Sequence, residues 1–540
     1  MKKILSIVLA LIMMLAVLSA CTDGNKTPES STTPEVSTTP DGGDDKPATD
    51  IAGWMSYSFE KVVATNPVPE ESKRNTEITL YMTKNEKESA TLSVYTKNRI
   101  SGAKLVITEK PDDITVDLYK QHTQKVDKKE YPDGISIVSD SMLLKKNTVQ
   151  SYLATVGTTK DTATGDKTIK IEFRDNKDNV LVEYVIKVHV WNITLSDDFK
   201  YETATDLEED MIAKFEGVKY GSEDPEEIAA FEAMYVAYYE KLLDYRMSAY
   251  NLPYDILDPR ADAYMSDPRV TTFQVPTNVD DATLVAYYNK VKSNPVWFEK
   301  AYAYPKDEPN DKSMYDDVIE AANRIKALCP DLRLVVPFFR NFPYDDTRDA
   351  IDIQAEYLDI LCAKSKCFYD RTFADKIAAK KDQGETIWCY VCWEPGYPYT
   401  NLYVDEKGIN HRIQFWQQWN VESEGFLYWS SNYWGGISNP WTSMATVPNL
   451  SPDVFGDGSL LYTGIGDEQV CGSLRLDIVR DGIEDVELLY MAEELLGRDA
   501  VYAISSKVAK DMVNYTNNTK TFNECRNAIA EALEAALSAQ

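Results

Sequence analysis

Two adjacent carboxylates, Asp307 and Glu308, stand in the run Ala301-Tyr-Ala-Tyr-Pro-Lys-Asp-Glu-Pro-Asn-Asp311, between an apolar stretch and a helix start. Neighbouring carboxylates repel one another and burial penalises ionisation further, so one of the pair is expected to titrate high. A protonated Glu308 beside an ionised Asp307 is the pairing that acid-assisted cleavage of a glycosidic bond requires. Acids also favour helix N-termini for reasons unconnected with catalysis. Spacing alone leaves both readings open.

The second constellation is aromatic. Seven of the ten tryptophans fall between positions 388 and 441, namely Trp388, Trp393, Trp416, Trp419, Trp429, Trp434 and Trp441. Tyr390, Tyr397, Tyr399, Tyr428 and Tyr433 are interleaved with them. Trp and Tyr rings stack on the apolar faces of sugars while their polar edges reach hydroxyls; core packing is the competing use. Trp416 and Trp419, three apart on an expected helix, read as core. Trp388, Tyr390, Tyr428 and Trp429 fall at expected strand ends, where either use fits. Trp434 lies in the Gly- and Asn-containing loop 430–440 and reads as part of a binding mouth.

Cys389 and Cys392 form a Cys-x-x-Cys spacing. Zinc would need a second pair of soft ligands, and no histidine neighbours them. On a strand, residues three apart also face opposite sides. Neither this pair nor Cys362 and Cys367 reads as a metal or redox site, and a structural disulfide among the four stays open. Gly464-Ile-Gly466 lacks the third glycine of a dinucleotide loop, and no Walker, nucleophile-elbow, EF-hand or His-Glu-x-x-His pattern occurs. No metal and no cofactor is expected.

The elements that must position these residues follow from periodicity. Beyond position 200, helical stretches at 226–243, 281–291, 313–328, 374–383 and 412–420 alternate with strand-like runs. Those runs are 247–252, 296–304, 332–338, 357–362, 386–391 and 425–429. Such alternation predicts a parallel sheet, and its length suits a (β/α)8 TIM-like barrel over 198–472. Active residues in such barrels stand at the C-terminal strand ends, where Asp307 and Glu308 fall. Before it, 51–197 shows short alternating runs (78–82, 91–95, 104–108, 168–173 and 180–191) cut by turn residues, the pattern of a β-sandwich. It carries no catalytic-looking group, and His122 and His189 read as a surface and a strand histidine. Residues 473–540 predict helices at 474–496 and 503–536 that pack on the barrel. The expected fold class is therefore multi-domain: an N-terminal all-β sandwich, a barrel and C-terminal helices.

The first fifty residues address location. Lys2 and Lys3, an apolar run over 4–18 and Leu18-Ser-Ala-Cys21 make a secretory signal over 1–20, too short to span a bilayer as a mature helix. The Thr-, Ser-, Pro- and acid-rich segment that follows cannot bury enough apolar surface to order itself, so 21–50 is expected to be an anchor and linker. Seven cysteines remain beyond Cys21, too sparse and odd in number for a disulfide scaffold. A net charge of −30 argues against nucleic-acid or anionic-membrane partners.

Leu-Ser-Ala-Cys resembles the lipobox of bacterial lipoproteins. That resemblance implies lipidation of Cys21 and a cell-surface protein that faces outside the cytoplasm, with the membrane contacted through the anchor only. The rest of the chain resembles glycoside hydrolase family 123 and the broader domain-of-unknown-function 4091 group. The matching pieces are Lys84-Asn-Glu86-Lys-Glu-Ser89, Asp307-Glu308-Pro309, Trp388-Cys-Tyr390, His411-Arg412, Gly425-Phe-Leu-Tyr-Trp429 and Asn432-Tyr-Trp434. Gly456-Asp-Gly458-Ser-Leu-Leu-Tyr462 and the run from Ser473 to Asp485 match most closely.

The resemblance implies β-N-acetylgalactosaminidase activity in which the substrate's own acetamido oxygen is the nucleophile. Glu308 would then protonate the leaving oxygen and later activate water, while Asp307 would hold the acetamido N–H. Trp388, Tyr390, Trp429, Asn432, Trp434 and Arg412 are the expected substrate-binding residues, and the partner is a glycolipid or glycoprotein glycan. Arg480 and Glu484, four apart on a helix, read as a structural ion pair, and their segment is assigned no catalytic role. Two rivals stand beside this reading. One is a glycosidase of another specificity with Glu394 as second carboxylate; the other is a non-catalytic glycan-binding lipoprotein.

Overall fold

The computed structural model describes residues 50–444 and 454–539. The expected signal, Cys21 and nearly all of the linker lie outside the described residues. Among the described residues, no helix is long and apolar enough to cross a membrane.

Ten strands build the first domain: β1 (Ile51–Tyr57), β2 (Glu77–Lys84), β3 (Lys87–Thr96), β4 (Ile100–Glu109), β5 (Thr115–Val126), β6 (Lys129–Ile137), β7 (Met142–Leu144), β8 (Thr148–Gly157), β9 (Gly165–Arg174) and β10 (Val180–Thr194). They form two five-stranded sheets, ordered β1-β3-β8-β5-β6 and β2-β10-β9-β4-β7. Period-two patterning decides which face each strand buries. On β9, Ile169, Ile171 and Phe173 are fully buried, while Lys170 and Glu172 between them are not. They meet Leu92 and Val94 of β3 in one apolar core between the sheets.

The second domain is a parallel sheet of β11 (Glu202–Thr205), β12 (Phe273–Gln274), β13 (Ala301–Ala303), β14 (Arg333–Phe338), β15 (Ile360–Lys364), β16 (Thr386–Val391) and β17 (Gly425–Tyr428). Its order is β11-β17-β16-β15-β14-β13-β12. The gap between β11 and β12 is bridged by the backbone of 248–250. Thr205 N donates to Ser248 O (3.0 Å), Tyr250 N to Thr205 O (2.7 Å) and Gln274 N to Tyr250 O (2.7 Å). The result is a nearly closed parallel barrel in which a single bridge at Ala249 stands where an eighth strand would. Pro253 lacks the N–H that would extend that ladder.

Around the sheet lie α1 (Glu209–Glu216), α2 (Pro225–Asp244), α3 (Ala261–Ser266), α4 (Asp281–Lys292), α5 (Pro295–Lys300), α6 (Lys312–Leu328), α7 (Ala350–Tyr357), α8 (Arg371–Lys381) and α9 (Gly408–Asn420). The C-terminal helices are α10 (Leu474–Leu496), α11 (Arg498–Ser505) and α12 (Thr519–Ser538). Two expectations are corrected here. The run 296–304 is not one strand: Asn294 caps Val296 N, Pro295 starts α5, and only the last residues become β13. The helix expected over 503–536 is two, with Asn518 capping the second at Thr521 N.

Candidate active site

Short strands leave their C-terminal residues at one end of the barrel, and a cavity of about 340 Å³ opens there. Tyr304, Asp307 and Glu308 reach it from the loop after β13, and Pro337 from β14. Tyr390, Cys392 and Trp393 come from β16 and its loop, and Leu427, Trp429 and Tyr433 from β17 and the loop beyond. Among the described residues, Asp307 and Glu308 are the two carboxylates that line it.

Glu308 takes a φ of +36°, a left-handed conformation that residues with a β-carbon rarely adopt. Such a backbone costs of order 1–3 kcal/mol and persists only where neighbours hold it. Here the neighbours grip the carboxylate. The Tyr390 hydroxyl donates to Oε1, and the Lys364 ammonium lies 3.0 Å from the same oxygen. Lys364 is almost fully buried at the end of β15, next to Tyr390 in the strand register. Burial and then the charge of Glu308 push the Tyr390 phenol well above its usual range, so it stays a donor.

Asp307 accepts a hydrogen bond from Tyr304 Oη at 2.7 Å. Although the residue as a whole is exposed, the surrounding protein desolvates its carboxyl. Burial first and the charge of Glu308 next raise it above the usual aspartate range, against the Tyr304 hydrogen bond. Glu394 shares Lys364 with Glu308. Burial disfavours its charge, but Lys366 at 3.0 Å and Lys364 at 3.3 Å hold its carboxyl below the usual range, and it does not line the cavity.

Trp429 is fixed from behind, its Nε1 donating to Asp457 Oδ2 at 3.0 Å while Tyr428 Oη donates to Oδ1 at 3.2 Å. Burial pushes the Asp457 carboxyl up to about 6, against those two donors. A β-carbon on Gly458, whose φ is +70°, would lie 2.3 Å from the Trp429 ring. Only glycine fits beneath that indole.

Tyr390 and Trp429 thus join Asp307 and Glu308, and four other residues expected to bind substrate do not. Trp388 is wholly buried inside the barrel, its Nε1 donating to Glu202 Oε2 at 3.0 Å and its ring packed edge-on to Tyr302. It shares a strand face with Tyr390 but sits one residue pair deeper, beside Cys362 and Gly425. Trp434 is also fully buried, donating to Leu461 O and packing edge-on against Phe215 and Tyr238. Asn432 clamps the loop to Glu208, accepting from its N–H (2.8 Å) and donating to its carbonyl (3.2 Å). Arg412 lies in a buried ion cluster with Glu88 of β3 and Asp485 of α10, where it ties the sandwich to the barrel.

The closely matching C-terminal run belongs to the same scaffold. Arg475 pairs with Asp133 of β6 at 2.6 Å, and Arg480 with Asp477 at 2.7 Å and with Asp481. All seven cysteines of the described residues are free thiols. Cys389 packs outside the barrel sheet and Cys392 faces inward, as their odd spacing requires.

Two lining residues, and the lysine that holds Glu308, carried weak signals or none in the sequence. Trp393 and Tyr433 stood in the aromatic run without being singled out, and Lys364 ends an apolar strand with nothing to mark it.

Residues 281–492 match the family model "Glycoside hydrolase 123, catalytic domain". Among solved structures, the chain superposes on a family 123 glycoside hydrolase from Clostridium perfringens, described in terms of glycolipid glycan hydrolysis. The TM-score is 0.65 at 12% identity, covering 90% of this chain and 98% of that one. An FMN-binding beta-glucuronidase from Facaelibacterium prausnitzii L2-6 aligns over 75% of this chain and 60% of its own, with a TM-score of only 0.25 at 9% identity. No curated protein matches the sequence.

Proposed function

We propose that this chain, a glycoside hydrolase 123-like protein, releases terminal β-linked 2-acetamido sugars, N-acetylgalactosamine foremost, by substrate-assisted retaining catalysis. The observation that carries the reading is the identity of the cavity's carboxylates. Asp307 and Glu308 are consecutive residues, so they approach the sugar from one side. Enzymes that use two carboxylates place them across the scissile bond, about 5–9.5 Å apart on opposite faces. Glu394, the other candidate, does not line the cavity; Lys364, which also holds Glu308, and Lys366 both bind its Oε1. The attacking group is then best supplied by the substrate, whose acetamido oxygen sits beside the anomeric carbon.

In this reading Glu308 gives its proton to the leaving oxygen as the acetamido oxygen closes on the anomeric carbon. Asp307 accepts the acetamido N–H and stabilises the charge of the oxazolinium ring. Glu308 then takes a proton from the water that opens the ring, which restores the β configuration. Tyr390 and Lys364 hold the Glu308 carboxylate in place, and Trp393, Trp429 and Tyr433 offer faces for the sugar. The lipobox-like sequence at Cys21 supports a cell-surface location for this chemistry. A Cys21→Ala chain that still enters a detergent phase would contradict the anchor.

Aryl glycosides with and without the 2-acetamido group test the mechanism. Glu308→Gln is expected to lose about 10²–10⁴-fold on poor leaving groups and far less on activated ones. Equal hydrolysis of 2-hydroxy and 2-acetamido glycosides, or an unaffected Glu308→Gln variant, overturns the proposal.

A further inference from the structure

A second cavity, of about 600 Å³, opens where β5, β6, β7 and β8 of the sandwich meet Trp441 and Ile465 from the segments after β17. It shares no lining residue with the barrel cavity. Its size is that of a site for a small organic ligand rather than a lone ion, since such pockets run to about 300–1,000 Å³.

Its lining is cationic in an acidic protein. Lys120 and Lys145 both reach it, and among the described residues neither ammonium pairs with a carboxylate, although the chain carries a net charge of −30. Burial first and Lys145 next hold the Lys120 ammonium below its usual range, so the two cations act on each other without an anion between them. His122 lies close to both. Burial, then Lys120 and Lys145, push its imidazole down to about 4, which leaves it neutral at pH 7. Its Nε2 lies 2.8 Å from Ser136 Oγ, and its ring meets Trp441 at 4.8 Å between centroids.

Glu130 lines the cavity as well and would turn away a ligand that is anionic all over.

We infer that this cavity binds an acidic sugar, with the carboxylate received by Lys120 and Lys145 and the hydroxyls by Ser136 and His122. The site goes beyond the hydrolytic reading: it holds a glycan that carries a uronic-acid-type residue without cutting it.

Calorimetric titration of the full chain with glucuronate at low salt tests this, with glucose and acetate as controls. Glucuronate is expected to bind at least ten-fold more tightly than either control, and added salt is expected to weaken it. Lys120→Ala/Lys145→Ala is expected to weaken it by about five- to ten-fold, with circular dichroism and aryl-glycoside hydrolysis unchanged. Acetate binding as tightly as glucuronate would mean an ion site only and overturn the proposal. Glucose binding equally well, or wild-type affinity in the double variant, would overturn it too. Hydrolysis is read separately, so a failure here is distinct from a failure at the barrel cavity.

Discussion

Arg412→Met removes a buried cation while keeping most of the apolar stem, and the structure sets what that should cost. From α9 the guanidinium donates through Nε to Asp485 Oδ2 (2.7 Å), through Nη2 to Asp485 Oδ1 (2.9 Å) and through Nη1 to Glu88 Oε2 (3.1 Å), with a further bond to Glu88 Oε1. Breaking a buried ion pair by deleting one partner costs about 3–5 kcal/mol, because the other charge is stranded. Asp485 would keep Arg526 Nε at 2.6 Å and Trp416 Nε1 at 2.9 Å, whereas Glu88 would keep only Arg526 at 3.6 Å. The loss therefore falls mainly on Glu88, and about 3 kcal/mol is expected.

Urea unfolding followed by tryptophan fluorescence should show it as a midpoint lowered by about 1 M for a slope near 3 kcal/mol/M. Arg412→Met/Glu88→Gln should lose less than the two single changes added, since no carboxylate is then left unpaired. Acid unfolding supplies a further check. Burial opposes ionisation of Asp485, yet Arg412 and Arg526 hold its carboxyl below the usual range. Its contribution to stability is therefore present above the unfolded pKa of roughly 3.9 and is lost as pH falls through the lower folded value. In Arg412→Met that loss begins at higher pH. KM should not move. An unchanged midpoint together with a raised KM would refute the reasoning and return Arg412 to the substrate.

Asp307→Asn is expected to lower kcat/KM by about 10²–10³-fold on 2-acetamido substrates. In the wild type, a raised Asp307 is protonated sooner as pH falls, so the acid limb of kcat/KM should lie above roughly pH 3.9; a limb at or below it speaks against Asp307 as acceptor. The two loop tryptophans should separate: Trp429→Ala raises KM about three- to ten-fold through lost stacking, whereas Trp434→Ala costs about 3–5 kcal/mol of stability at unchanged KM. Trp388→Phe leaves Glu202 with Arg333 alone and should cost about 1–3 kcal/mol with activity intact, as denaturation and rate assays on one preparation would show.

Local patterns determined much of this protein. Period-two runs defined the sandwich strands, and alternating helix and strand periods defined the barrel, because each element must present one apolar face to a core. The Asp307-Glu308 pair was legible for the same local reason: it follows a strand and precedes a helix, which places it at the C-terminal end of any parallel barrel. Asn294-Pro295 was an equally local helix start that the apolar run around it obscured.

What the pattern could not supply was depth and distant partners. Trp388 and Tyr390 point to the same face of β16, yet one lies against Glu202 deep in the barrel and the other against Glu308 at its mouth. Strand period determines which way a side chain points, and only the stagger of neighbouring strands decides how far along the barrel it sits. Arg412 and Glu88 are 324 residues apart in the chain, and Lys364 finds Glu308 only when β15 and β13 curve into one barrel. Charge pairing over such separations is set by the packing of whole elements, so the tertiary structure alone distinguished the residues that line the cavity from those that hold the scaffold together.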